Sequence, residues 1–106
     1  RDNFLIVARK STSQGFLGYA SFAVERDQGA YLHRIGVIKT FQRKGVGRLL
    51  IQWLLDHFEQ KLSLEVTSDN EKAIKFYNGI GLILTEEYTT KEGVEFFKFS
   101  SAASLA

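Results

Sequence analysis

The sequence predicts an α/β (α+β) protein built on a mixed sheet, with its elements in the order β-β-β-α-β-α-β-β. Three observations predict it. Strand-like stretches at 4–8, 16–25 and 30–38 are separated only by short turn-forming runs, the pattern of an antiparallel meander. An amphipathic stretch from about 46 to about 59 then lies between the third strand and a fourth at 62–66. Strand, helix, strand in that span is a crossover, which sets its two strands parallel. Finally, runs at 82–88 and 94–99 flank a turn and close the chain as a hairpin.

The elements follow from local chemistry. Phe4, Leu5, Ile6, Val7 and Ala8 form an apolar run suited to a buried strand. Ser11, Thr12, Ser13, Gln14 and Gly15 read as a hairpin loop. Tyr19, Phe22 and Val24 supply β-favouring side chains to the second strand, and the turn of residues 26–29 follows it. On the third strand Tyr31, His33, Ile35 and Val37 share one face, opposite Leu32, Arg34, Gly36 and Ile38. In the first helix Val46, Leu49, Leu50, Trp53, Leu54, His57 and Phe58 recur at helical spacing, so Trp53 is expected in the core and His57 in a structural role. Leu62, Leu64 and Val66 alternate with Ser63 and Glu65 as in a strand. Ser68 and Glu71 fit a capping box at the start of the second helix. Its apolar face is Ala73, Phe76, Tyr77 and Ile80, and Gly79 and Gly81 stop it. The small-residue tail 100–106 carries no signal.

Length and composition bound the function. A chain of 106 residues suits one domain with a modest core. A hydrophobic content of 44% with 25% charged residues excludes a disordered tail. The formal charge of +2 is too small to imply nucleic acid, and the aromatic residues sit at core spacing rather than among the charges. With no cysteine, disulfides, thiolate metal sites and a cysteine nucleophile are excluded, and a reducing, cytoplasmic setting is expected. No apolar run reaches the length of a membrane span. No signal-peptide pattern opens the chain, and its first residue is Arg. At least a start residue is therefore expected upstream.

The basic residues cluster around one loop, where Gln42, Arg43, Lys44, Gly45, Val46, Gly47 and Arg48 link the third strand to the first helix. The first N–H groups of a helix lack intrahelical acceptors, and the helix dipole adds partial positive charge there. Such a loop suits a phosphate or pyrophosphate. Two familiar phosphate loops fail. A P-loop needs Lys and then Ser or Thr after its second glycine, where Arg48 and Leu49 stand. A dinucleotide fingerprint needs glycine three residues after Gly47, where Leu50 stands.

Gln42-x-x-Gly45-x-Gly47, followed by Asn70-x-x-Ala73-x-x-Phe76-Tyr77-x-x-x-Gly81-Leu82, resembles the two motifs of the GCN5-related N-acetyltransferase (GNAT) superfamily. The resemblance implies a GNAT-like mixed central sheet flanked by helices and an acetyl-CoA co-substrate, with no metal. It places the pyrophosphate on the amides of Arg43, Lys44, Gly45, Val46, Gly47 and Arg48, with Lys39, Arg43 and Lys44 near the remaining phosphate. It also implies strands that splay apart, leaving backbone of Ile35, Gly36 and Val37 to pair with pantetheine. Asn70 would cap its helix and bond to pantetheine; Ala73 and Phe76 belong to the same motif. The usual N-terminal strand and helices have no counterpart here, so the N-terminal part is expected to be truncated, naturally minimal or completed by a partner chain. A single domain over 1–106 with an exposed edge near 4–8 is expected, and a homodimer with it.

The chemistry implied is transfer of acetyl to a primary amine by direct attack in a ternary complex. The backbone N–H near Val37 is the expected oxyanion donor. Tyr77 is the candidate general acid, since a phenol keeps its proton at neutral pH. His33 is the candidate base, because glutamate is absent from the third strand and imidazole titrates near neutral pH. The alternative is a CoA-binding module of the same fold with a regulatory role and no turnover. The acceptor, a small-molecule or peptide amine, is not specified by these residues.

Overall fold

The computed structural model describes residues 3–11 and 15–105. Six strands form one sheet: β1 (Asn3–Arg9), β2 (Phe16–Val24), β3 (Ala30–Val37), β4 (Leu62–Thr67), β5 (Ile83–Thr89) and β6 (Glu95–Ser100). Their spatial order is β1-β2-β3-β4-β6-β5. Helix α1 (Val46–His57) connects β3 to β4, and α2 (Glu71–Gly79) connects β4 to β5. The meander, the parallel β3–β4 pair and the closing hairpin are all present. Of the expected first loop, residues 12–14 lie outside those described.

One face of the sheet carries both helices. Val46, Leu50, Ile51 and Leu54 of α1 and Tyr77 of α2 share a buried cluster with Leu62, Leu64, Val66 and Phe99 of the sheet. Leu54 is completely buried, so Leu54→Ala would cost about 3 kcal/mol. The stripe that α1 buries is rotated from the expected one toward Ile51. Leu49 is 69% exposed and Trp53 39% exposed, which corrects their placement in the core. Leu49 and Trp53 lie on a flank of α1 that the sheet does not cover. There Trp53 stacks on His57 with ring centroids 4.0 Å apart, and His57 Nδ1 meets the Trp53 carbonyl at 2.9 Å. The helix ends two residues before Glu59, because Glu59 and Gln60 both take left-handed backbone angles.

A bulge overturns the predicted phase of β3. Phe22 pairs with Leu32 but Ser21 pairs with Arg34, so His33 is an extra residue. Beyond it Ala20 pairs with Ile35 and Gly18 with Val37. Ile35 and Val37 thus face the helices, on the same side as Ala30 and Leu32, and not with Tyr31 and His33.

Helix α2 is capped by Asn70, whose Oδ1 accepts the Ala73 amide at 3.2 Å. This replaces the expected Ser68–Glu71 box: the helix starts two residues later than that box requires. β1 is an edge strand, and its Phe4, Leu5 and Val7 are exposed.

Candidate functional site

The parallel pairing of β3 and β4 is short. It runs from Ala30 opposite Leu62 to Leu32 opposite Leu64 and stops. Past that point β3 stays paired to β2, and β4 stays paired to β6 as far as Thr67. The sheet therefore opens between its two central strands. Ile38 donates to the Leu17 carbonyl of β2, so Val37 and Ile35, in the alternate pairs, aim their backbone groups the other way, into the gap. Gln42 braces this strand end by donating its side-chain amide to the Val37 carbonyl at 3.1 Å. The Val37 and Ile35 amides remain directed into the opening.

The gap leads into a groove of about 840 Å³ on the helix face. Ile35 and Val37 form its inner end. The loop supplies Gln42, Arg43, Gly45, Gly47 and Arg48, and α2 supplies Asn70, Ala73, Phe76 and Tyr77. The volume falls in the range of small-molecule sites. Gly45 has φ of 88° and lets the loop turn into α1, whose first amides then face the groove. No side chain caps that helix start.

Three of the residues assigned to the cofactor do not line the groove. Val46 is buried in the core, so only its backbone is available to a ligand. Gly36 makes room for Tyr19, since a Cβ there would be 2.5 Å from the Tyr19 ring. Lys44 sets its ammonium over Phe41, 5.1 Å from the ring centroid. Lys72 and Lys75 of α2, not singled out from the sequence, line the groove instead. Their i, i+3 spacing beside Ala73 and Phe76 was the available signal.

Tyr77 lies at the inner end of the groove and is buried. Burial pushes its phenol up to about 12, so it holds its proton throughout the neutral range. His33 stands on the opposite face of the sheet, exposed. Its Nε2 meets Asn3 Oδ1 at 3.0 Å and its ring packs edge-on against Tyr31.

Beside Tyr31 is a carboxylate that sequence reading passed over. Glu65 is the first residue of β4 beyond the parallel pairing, at the mouth of the gap. Tyr31 donates its hydroxyl to Glu65 Oε1 at 2.9 Å, and Tyr88 of β5 donates to Oε2. Desolvation, then the Glu65 hydrogen bond and charge, push the Tyr31 phenol up; at Tyr88 the Glu65 hydrogen bond is the main cause. The available signal was position. A search for a base confined to β3 missed the neighbouring strand, where Glu65 stands alone among apolar alternates.

Among the described residues no group of three His, Cys, Asp or Glu is placed to hold a metal. No helix there is long and apolar enough to cross a membrane.

The open parallel pair and the groove at a glycine-loop helix start define an acyltransferase-type architecture. The model of the acetyltransferase (GNAT) family matches residues 1–82, and the chain belongs to that family. It is 38% identical over 74 residues to the ribosomal protein bS18-alanine N-acetyltransferase of Salmonella typhimurium, covering 62% of this chain and 50% of that enzyme. The chain thus spans half that relative's length. The crystal structure of the Escherichia coli ribosomal-protein-S18-alanine N-acetyltransferase superposes with a TM-score of 0.70 at 28% identity, covering 92% of this chain and 67% of that one. An acetyltransferase structure from Bacillus anthracis in complex with acetyl coenzyme A gives a TM-score of 0.82 at 18% identity, over 94% of this chain and 62% of that one. At that identity the likeness concerns the fold.

Proposed function

We propose that the protein transfers the acetyl group of acetyl-CoA to a primary amine by direct attack in a ternary complex. The observation that carries this reading is the gap between β3 and β4, with the outward-facing backbone of Ile35 and Val37 opening onto the groove at the start of α1. Pantetheine pairs with Ile35 and Val37 as an added strand would, and its pyrophosphate meets the loop and first-turn amides, with Arg43 and Arg48 beside them. Asn70 lines the groove and is committed to its helix cap through Oδ1, which leaves its side-chain amide nitrogen to donate to pantetheine.

In the reaction the amine nitrogen bonds to the thioester carbonyl carbon, and negative charge develops on the carbonyl oxygen. The Val37 amide stabilises that charge. The carbon–sulfur bond breaks as the intermediate collapses, and Tyr77 gives its proton to the departing sulfur before recovering one from solvent. The proton released by the amine passes to Glu65. Glu65 takes the role first given to His33 because it stands at the gap itself. His33 meets this cluster through the Tyr31 ring.

The first acceptor to test is a peptide α-amine, because the relative from Salmonella is named as an alanine N-acetyltransferase of ribosomal protein bS18. The experiment is thiol release from acetyl-CoA across peptides with free α-amines, polyamines and amino acids. Amine-dependent release supports the reading. Tight binding of coenzyme A without release by any amine would favour a binding module instead.

A further inference from the structure

The loop was expected to meet every phosphate of the ligand, but its cations divide. Lys44 is over Phe41, while Arg43 and Arg48 line the groove on the loop side. The opposite bank is Lys72 and Lys75 on α2. Three residues apart, they sit on one side of the helix about 4.5 Å apart along its axis. Such a like-charge pair weakens a free helix slightly, and a bridging dianion would relieve it. The acidic groups nearest in sequence are Asp69 and Glu71, at the start of the same helix. Tyr77 marks the inner, reacting end of α2, and Lys72 lies about 7.5 Å back along the axis from it. The lysines are thus on the outer part of the groove, where the nucleotide end of the ligand would lie.

Resting on the coenzyme A reading above, we propose that Lys72 and Lys75 hold the phosphomonoester on the ribose of coenzyme A. The loop and the α1 start are matched to the pyrophosphate, and the two lysines to the remaining dianion. The site thereby selects the phosphorylated nucleotide carrier over the same arm without that group.

The test is calorimetric binding of coenzyme A and of dephospho-coenzyme A to the wild-type chain and to the Lys72→Ala/Lys75→Ala variant. Both positions are exposed, so the variant keeps the fold, which circular dichroism checks. Exposed ion pairs contribute a factor of about two to five each. The variant is therefore expected to bind coenzyme A about fivefold to tenfold more weakly while its affinity for dephospho-coenzyme A stays the same. The wild-type preference between the two ligands should also shrink with added salt. An equal loss for both ligands would overturn the proposal and move the lysines to the pyrophosphate, and no loss for either would overturn it outright. A wild-type chain that bound neither ligand would overturn the coenzyme A reading itself, and this proposal with it.

Discussion

Gly47 lies directly against the ring of Phe76: a Cβ at position 47 would stand 3.1 Å from Phe76 Cζ. The glycine loop and the second helix motif, 29 positions apart in the chain (76 − 47), are therefore one packed unit. The groove runs along their seam, and Phe76 lines it.

Gly47→Ala sets two effects against each other. Alanine is better than glycine in a helix by about 1 kcal/mol, and the Phe76 ring must give by a few tenths of an ångström. Phe76 lines the groove, so a shift of its ring changes the groove's wall. Stability is expected to stay within about 1 kcal/mol of wild type by urea unfolding, while coenzyme A affinity falls. Adding Phe76→Leu should restore part of that affinity; additive losses would show that the contact does not shape the groove.

Gly45 presents the opposite case. Nothing lies within 4 Å of a Cβ built there, yet its φ is 88°. Gly45→Ala therefore incurs only the left-handed backbone penalty of about 1 kcal/mol, a melting temperature lower by about 5 °C. Gly45→Asn should recover much of the loss, because Asn tolerates that conformation. Equal melting of the alanine variant and the wild type would mean that the loop does not hold this turn.

The glycine motif and the helix periodicities were legible because spacing encodes them. Side-chain direction was not. The bulge at His33 rests on a long-range pairing between β2 and β3, so it leaves no mark in the local alternation, and it reverses the face of every later residue on that strand. Glu65 was not legible either, because its position at the mouth of the gap depends on where the β3–β4 pairing ends. The placement of Lys44 was hidden for a related reason. A charge near a phosphate loop is visible in sequence, but an aromatic ring that attracts it, as Phe41 does, is not.

Glu65 and His33 are separable by kinetics. Glu65→Gln keeps the size of the side chain and an acceptor for the two phenols, and is expected to lower kcat/KM for the amine by about 10²-fold. His33→Gln is expected to change it less than about twofold, as a surface substitution outside the gap. The reverse ranking in steady-state assays over pH 6 to 9 would return the base to His33.

Tyr77 carries a pH signature. Its phenol is pushed up to about 12 by burial, so Tyr77→Phe should lower kcat by about 10²-fold with little change in the KM for acetyl-CoA. For stability the sign is set by the neutral form being favoured in the fold. Below pH 10 both folded and unfolded chains hold the proton and no stability depends on it. As pH rises from about 10 to about 12 only the unfolded chain loses it, and the fold is weakened. Urea unfolding across that window should fall less steeply for Tyr77→Phe, with Tyr31 and Tyr88 accounting for the decline that remains.

The tail supplies a prediction that composition gave no reason to make. Ser101 is buried; its hydroxyl donates to the Gln60 carbonyl at 2.7 Å and accepts the Leu62 amide at 3.0 Å. It fastens the end of the chain to the start of β4, and a short 3₁₀ turn, Ala102–Leu105, follows it. Ser101→Ala would leave a buried amide and a carbonyl without these partners, at about 2 kcal/mol. In a domain of this size that lowers the melting temperature by about 10 °C. Ser101→Thr keeps the hydroxyl and should lose less. The groove is at the other end of β4, so coenzyme A affinity measured well below the transition should be unchanged in both variants. A loss of affinity with intact stability would mean that the tail communicates with the site and does not only anchor the sheet.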